Sequence, residues 1–209
     1  MGPVLDISIN KSSRNLNKQS IIILQPDGFR VGNFTNLSID AFSNQKNIPK
    51  IFKILEMSHP NFCLFLKGEK MIVIYDLNKM KIEDFYEVEE STILNFCYLR
   101  YTREIWILCK DGLIVVLKLS KDEKNFLKNF SFQFNIESNC EFCAIGVEDT
   151  DEESYLVLTG QDLEEDENVI DLFKIKRDEE EGVEIDHLFQ ETVKFVDSAR
   201  KCNFFLNKF

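Results

Sequence analysis

The spacing of the apolar segments constrains this chain more than any other feature. Strand-like runs begin at Phe29, Met71, Leu113 and Val169, each preceded by another such run and a turn. The intervals between them are 42, 42 and 56 residues. A strand-rich unit recurring every 40–45 residues has the length of one four-stranded antiparallel sheet with its turns.

The first unit, 4–42, divides into runs 4–9, 20–24, 29–34 and 37–42. The second, 51–88, divides into 51–57, 62–66, 71–77 and 82–88, and the third, 94–134, into 94–99, 104–109, 113–119 and 126–134. The fourth, 140–189, has runs 140–147, 155–158, 169–175 and 183–189, and a partial fifth covers 193–209. The runs are short and rich in β-branched and aromatic residues, which favours strands over helices. Asp27-Gly28 and Asp111-Gly112 stand at equivalent turns, and Lys67-Gly68 serves in the second unit. Tight hairpins need such residues because they take φ > 0. Near-continuous apolar runs such as 71–75 and 113–117 predict strands buried on both faces, whereas the charged runs 82–88 and 183–189 suit outer strands. The expected fold is all-β, with repeated four-stranded antiparallel units in a β-propeller-like domain spanning 1–209, as an incomplete or small ring.

The run Met71-Ile-Val-Ile-Tyr-Asp-Leu77 resembles the third strand of a WD40 repeat, with Tyr75-Asp76 standing where that family has Trp-Asp. The resemblance implies a divergent WD40-like propeller. Leu117-Lys118 and Phe173-Lys174 replace Trp-Asp in the later units, and no Gly-His pair opens a unit. The fifth unit holds two strands of four. Three arrangements fit this. N-terminal strands complete the last blade, a partner supplies the missing strands, or the chain is another β fold.

The formal net charge of −11 disfavours direct nucleic-acid binding, whose affinity comes from neutralising phosphates. No apolar run reaches the ~20 residues of a membrane span. The N-terminus has no basic, apolar leader, so a cytoplasmic or nuclear location is expected. Cys140-Glu-Phe-Cys143 has a metal- or redox-type spacing but no second ligand pair, and it lies at a strand start. Neither His59 nor His187 has a nearby Ser or Cys in a nucleophile elbow or a second metal-binding neighbour. No catalytic, cofactor or metal site is expected, and the chain is read as a non-enzyme.

Acidic runs supply the candidate partner-binding residues. Glu148, Asp149, Asp151, Glu152 and Glu153 precede the run 155–158, and Glu164, Glu165 and Asp166 follow it. Both are read as loops carrying the extra length of the fourth unit. Phe204, Phe205 and Phe209 would form an apolar edge. The function expected is a non-catalytic protein–protein interaction scaffold within a larger assembly. The alternatives are an adaptor docking on a ribonucleoprotein such as the ribosome, or a small β-barrel binding a ligand or peptide. No cofactor is implied, and protein partners are.

Overall fold

The computed structural model describes residues 6–10, 20–25, 28–33, 43–45, 51–57, 62–79, 81–149, 153–178 and 182–192. Among the described residues the strands form four sheets, each four-stranded and antiparallel with consecutive strands adjacent. The chain divides into two compact units, Met1–Glu90 with Leu119–Phe126, and Ser91–Lys118 with Leu127–Phe209.

The first unit contains β1 (Asp6–Asn10), β2 (Ser20–Gln25), β3 (Gly28–Asn33) and β4 (Ser43–Gln45) as one sheet. The expected fourth strand at 37–42 lies outside the described residues; β3 pairs with Ser43–Gln45. The second sheet is β5 (Ile51–Glu56), β6 (Phe62–Lys67), β7 (Met71–Asp76) and β8 (Lys81–Glu87). Strands β6 and β7 are buried on both faces, as their unbroken apolar runs require. Cys63, Phe65, Val73 and Tyr75 pack together on one of those faces. Within this unit Asp84 accepts the Phe126 N–H at 2.8 Å.

The second unit contains β9 (Ile93–Leu99), β10 (Glu104–Cys109) and all but one end residue each of β11 (Leu113–Leu119) and β12 (Phe126–Asn135). Its other sheet is β13 (Cys140–Asp149), β14 (Ser154–Asp162), β15 (Asn168–Asp178) and β16 (Gly182–Thr192). Alternate residues of the two sheets meet in one core. Trp106, Leu108, Ile114 and Val116 face Phe142, Leu156, Leu158, Phe173 and Ile175. Phe130, Phe132 and Phe134 of the outer strand β12 close over it.

The extra length of the fourth unit was expected in loops. The structure takes it up largely as strand, since β13 to β16 run 9–11 residues against six or seven in β9 to β11. Alternation of core and surface side chains continues beyond the apolar runs, so the ladder extends through the flanking polar residues.

The Asp111-Gly112 turn behaves as its sequence predicts. Asp111 has φ 60 and Gly112 φ 75, and the Leu113 N–H bonds to the Lys110 carbonyl. Two positive-φ central residues match the right-handed twist of the hairpin. A Cβ on Gly112 would also stand 2.8 Å from the Ile136 carbonyl oxygen. Gly112→Ala is therefore expected to destabilise the protein by about 1–3 kcal/mol, read as a lower urea midpoint with unchanged m.

Among the described residues, no helix is long and apolar enough to cross a membrane.

Candidate functional site

Strand β14 separates the two acidic runs that sequence had grouped as flanking loops. It spans nine residues, about 30 Å at roughly 3.3 Å per residue. Glu148, Asp149 and Glu153 therefore sit at one end of the sheet, and Glu164, Glu165 and Asp166 at the other. They do not form one surface.

At the first end, Glu148 and Asp149 are the last residues of β13, not part of a loop. Asp149 is drawn into an internal network centred on Arg177. The Arg177 Nη1 donates to Asp149 Oδ1 at 3.1 Å and to Ser154 Oγ at 2.6 Å. Its Nη2 donates to Glu104 Oε2 at 2.9 Å, with Nε 3.3 Å from both Glu104 oxygens. The Ser154 hydroxyl donates to Asp149, and the Trp106 indole N–H donates to Glu104 Oε2 at 3.2 Å. Glu104 is only 1 % exposed. A buried carboxylate needs this degree of pairing, and the planar guanidinium fork supplies it to two strands at once. Glu153 is exposed and ion-paired to Lys174 at 2.6 Å. The Lys174 ammonium and the Tyr155 hydroxyl hold its carboxyl below the ordinary value.

The other end carries an ordered acidic hairpin between β14 and β15. Asp162 Oδ1 accepts the N–H groups of Glu164 at 2.8 Å and Glu165 at 3.1 Å. The Asp162 N–H bonds to the Glu167 carbonyl at 2.8 Å, and the Leu163 N–H to the Asn139 carbonyl at 3.1 Å. Asn139 Nδ2 donates to Glu164 Oε1 at 2.8 Å, and Gln161 donates to Asp166. These bonds fix the backbone while Glu164, Glu165 and Asp166 remain exposed, with Leu163 65 % exposed beside them. Asp151, Glu152, Phe204, Phe205 and Phe209 lie outside the described residues, as do His59 and the partial fifth unit.

Asp171 is buried within β15, a position the sequence reading did not single out. His187 Nε2 lies 3.1 Å from its Oδ1, and the Gln190 amide donates to its Oδ2 at 3.1 Å. Asp171 and Arg177 share the strand parity of Val169, Phe173 and Ile175. Glu104 shares that of Trp106 and Leu108. A charge placed on the apolar parity must find a partner, and that was the available signal.

Tyr75-Asp76 serves a turn. Asp76 Oδ1 accepts the N–H groups of Asn78 at 2.8 Å and Lys79 at 2.9 Å. Burial alone would raise this carboxyl, but those N–H groups and the Lys79 ammonium outweigh it and hold it below its ordinary value. The equivalent Lys118 stacks 4.8 Å over the Phe130 ring, and Lys174 pairs with Glu153.

The five cysteines among the described residues are free thiols. Burial pushes Cys109 up to about 11, and burial with the Asp76 charge raises Cys63 well above the ordinary thiol value. Neither is a thiolate at neutral pH. Cys143 is the extra residue of a bulge between Phe142 and Ala144, its Sγ 3.4 Å from the Thr159 carbonyl. Cys140 Sγ accepts from Gln190 at 3.2 Å. Among the described residues no three His, Cys, Asp or Glu side chains are grouped to hold a metal.

Four-stranded antiparallel sheets in sequential order, repeating along the chain, are the organisation of a β-propeller-type fold. Solved structures share it. The Dos1 propeller matches with a TM-score of 0.59 at 9 % identity, over 83 % of this chain and 46 % of that one. The Cps50 (Swd1) β-propeller domain of Myceliophteria thermophila matches with a TM-score of 0.55 at 7 % identity, over 92 % of this chain and 73 % of that one. The present chain thus spans less than half the length of the Dos1 propeller chain. No protein-family model matches the sequence, and no curated protein matches it.

Proposed function

We propose that this chain is a non-catalytic protein–protein interaction scaffold, a subunit of a larger assembly, whose acidic β14–β15 hairpin docks a basic protein surface. The observation that carries the reading is the hairpin itself. Its backbone is tied down at Asp162, Leu163 and Asn139 while its carboxylates and an apolar side chain face solvent. A rigid charged loop loses little entropy on docking and steers an oppositely charged partner. The proposal treats residues 1–209 as one interaction domain and places it in the cytoplasm or nucleus. Glu148, Asp149 and Glu153 lie at the far end of β14 and take no part in this docking.

The test is the double variant Glu164→Gln/Glu165→Gln, which keeps the shape of the loop and the Asn139 contact. Affinity for the chain's native complex, captured from its own cells, is expected to fall roughly tenfold, with a shallower dependence on salt. Unchanged retention and unchanged salt dependence would remove the hairpin from the reading. A chain that runs as a free monomer in native extract would remove the scaffold role itself.

A further inference from the structure

We infer that the edge of β16 that no described strand pairs with is an acceptor for an extended Lys- or Arg-bearing segment of a partner protein, which would add to the sheet as a fifth strand. The inference rests on the interaction reading above and names the partner's chemistry.

The last strands of the four sheets are protected unequally. Exposed edges are usually blunted by short length, by charged side chains, by Pro or by bulges. Strand β4 has three residues, β8 carries Lys81 and β12 carries Lys128. By contrast β16 runs 11 residues, Gly-Val-Glu-Ile-Asp-His-Leu-Phe-Gln-Glu-Thr; its charges are all acidic, which deters most strands but not a basic one, and its bulge at Leu188 leaves 182–187 regular. Among the described strands it pairs only with β15.

The register shows what an added strand would meet. Ile185 opposite Ile175 and His187 opposite Phe173 share the core parity. Glu184, Asp186, Phe189 and Glu191 stand opposite Lys176, Lys174, Leu172 and Ile170, on the other face. Leu188 is the extra residue of a bulge between His187 and Phe189. It leaves an uninterrupted run over 182–187, the usual length of a strand. Leu188 and Phe189 are 46 % and 48 % exposed, an apolar anchor at the end of that run.

Charge selects the occupant. Three carboxylates share the face with Phe189 against two lysines of β15, Lys174 and Lys176, and Lys176 pairs with Asp186 at 2.6 Å. A second copy of this edge would bring three more carboxylates, and like charges across strands destabilise pairing. A nucleic-acid backbone would be repelled for the same reason. A strand with Lys or Arg at alternate positions would place cations beside Glu184, Asp186 and Glu191, and its backbone would satisfy the open N–H and C=O groups.

The probe is a capped eight-residue peptide alternating Lys and Val, titrated into the full chain at low salt, with hydrogen exchange followed at the 182–187 amides. Binding is expected with added protection there. Methylating alternate peptide nitrogens should weaken it at least roughly tenfold, and a Glu/Val peptide should not bind. Glu184→Lys/Glu191→Lys, at two exposed positions, should reverse the preference toward the Glu/Val peptide. The inference is overturned if the Lys/Val peptide fails to bind, if the methylated peptide binds equally, or if charge reversal changes nothing. Binding seen only after truncation at Thr192 would make the chain's own 193–209 segment the occupant, which also overturns it. A native complex that survives while the edge experiment fails leaves the scaffold reading standing and removes only the edge.

Discussion

Replacing Arg177 with Met is expected to destabilise the protein by about 3 kcal/mol, because it strands Glu104 as a buried, uncompensated carboxylate. Breaking one side of a buried ion pair costs roughly 3–5 kcal/mol. The lower end applies because the Arg177 side chain is itself 27 % exposed and water reaches it. The guanidinium contacts Glu104 on β10 as well as Asp149 and Ser154 on β13 and β14. Arg177→Lys should restore only part of the loss, since a single ammonium cannot address both groups. Glu104→Gln combined with Arg177→Met should recover much of it by removing the buried charge. Urea unfolding of the four proteins measures these differences. An Arg177→Met protein within about 0.5 kcal/mol of the parent, the range of an ordinary surface change, would show that the network contributes no net stability.

Trp106→Ala should cost about as much or more, in the range of ~3–5 kcal/mol. Trp106 is fully buried, the largest of the fully buried side chains, and packs edge-on against Phe134 with ring centroids 6.2 Å apart. Truncation removes its contacts with both sheets of the second unit and also takes a hydrogen bond from Glu104. Trp106→Phe separates the two losses. It keeps most of the packing and drops the indole donor, at about 1–2 kcal/mol. Trp106 and Arg177 both serve Glu104, so their effects should not add, and a double-mutant cycle reads the coupling. Additivity within about 0.3 kcal/mol would show that the core and the charge network are independent.

The mapping of strands onto the sequence was direct where apolar runs were dense. The runs 104–109 and 113–119 coincide with β10 and β11, and the Asp111-Gly112 turn has the positive φ values its residues favour. The charged outer strands at β8 and β16 also follow the pattern. Strand ends were harder to place in the fourth unit, where β14 continues through Thr159-Gly160-Gln161-Asp162. Polar residues at a strand end give no apolar signal, although the ladder continues through them. Gly160 is required there by contact alone. A Cβ would stand 2.4 Å from the Glu141 carbonyl oxygen beside the Cys143 bulge.

The local code of this chain, its alternation and its turn residues, determined that it forms strands, where most of them lie, and that they group in fours. Local code is sufficient for this because backbone pairing within a hairpin depends on neighbours in sequence. Only the tertiary structure decided the fate of the charges. It sent two adjacent acidic runs to opposite ends of one strand, committed Asp149 to Arg177, and left Glu164, Glu165 and Asp166 in solvent. The cost of a charge depends on what surrounds it in space, and its partners here come from strands as far apart in the chain as Glu104 and Arg177.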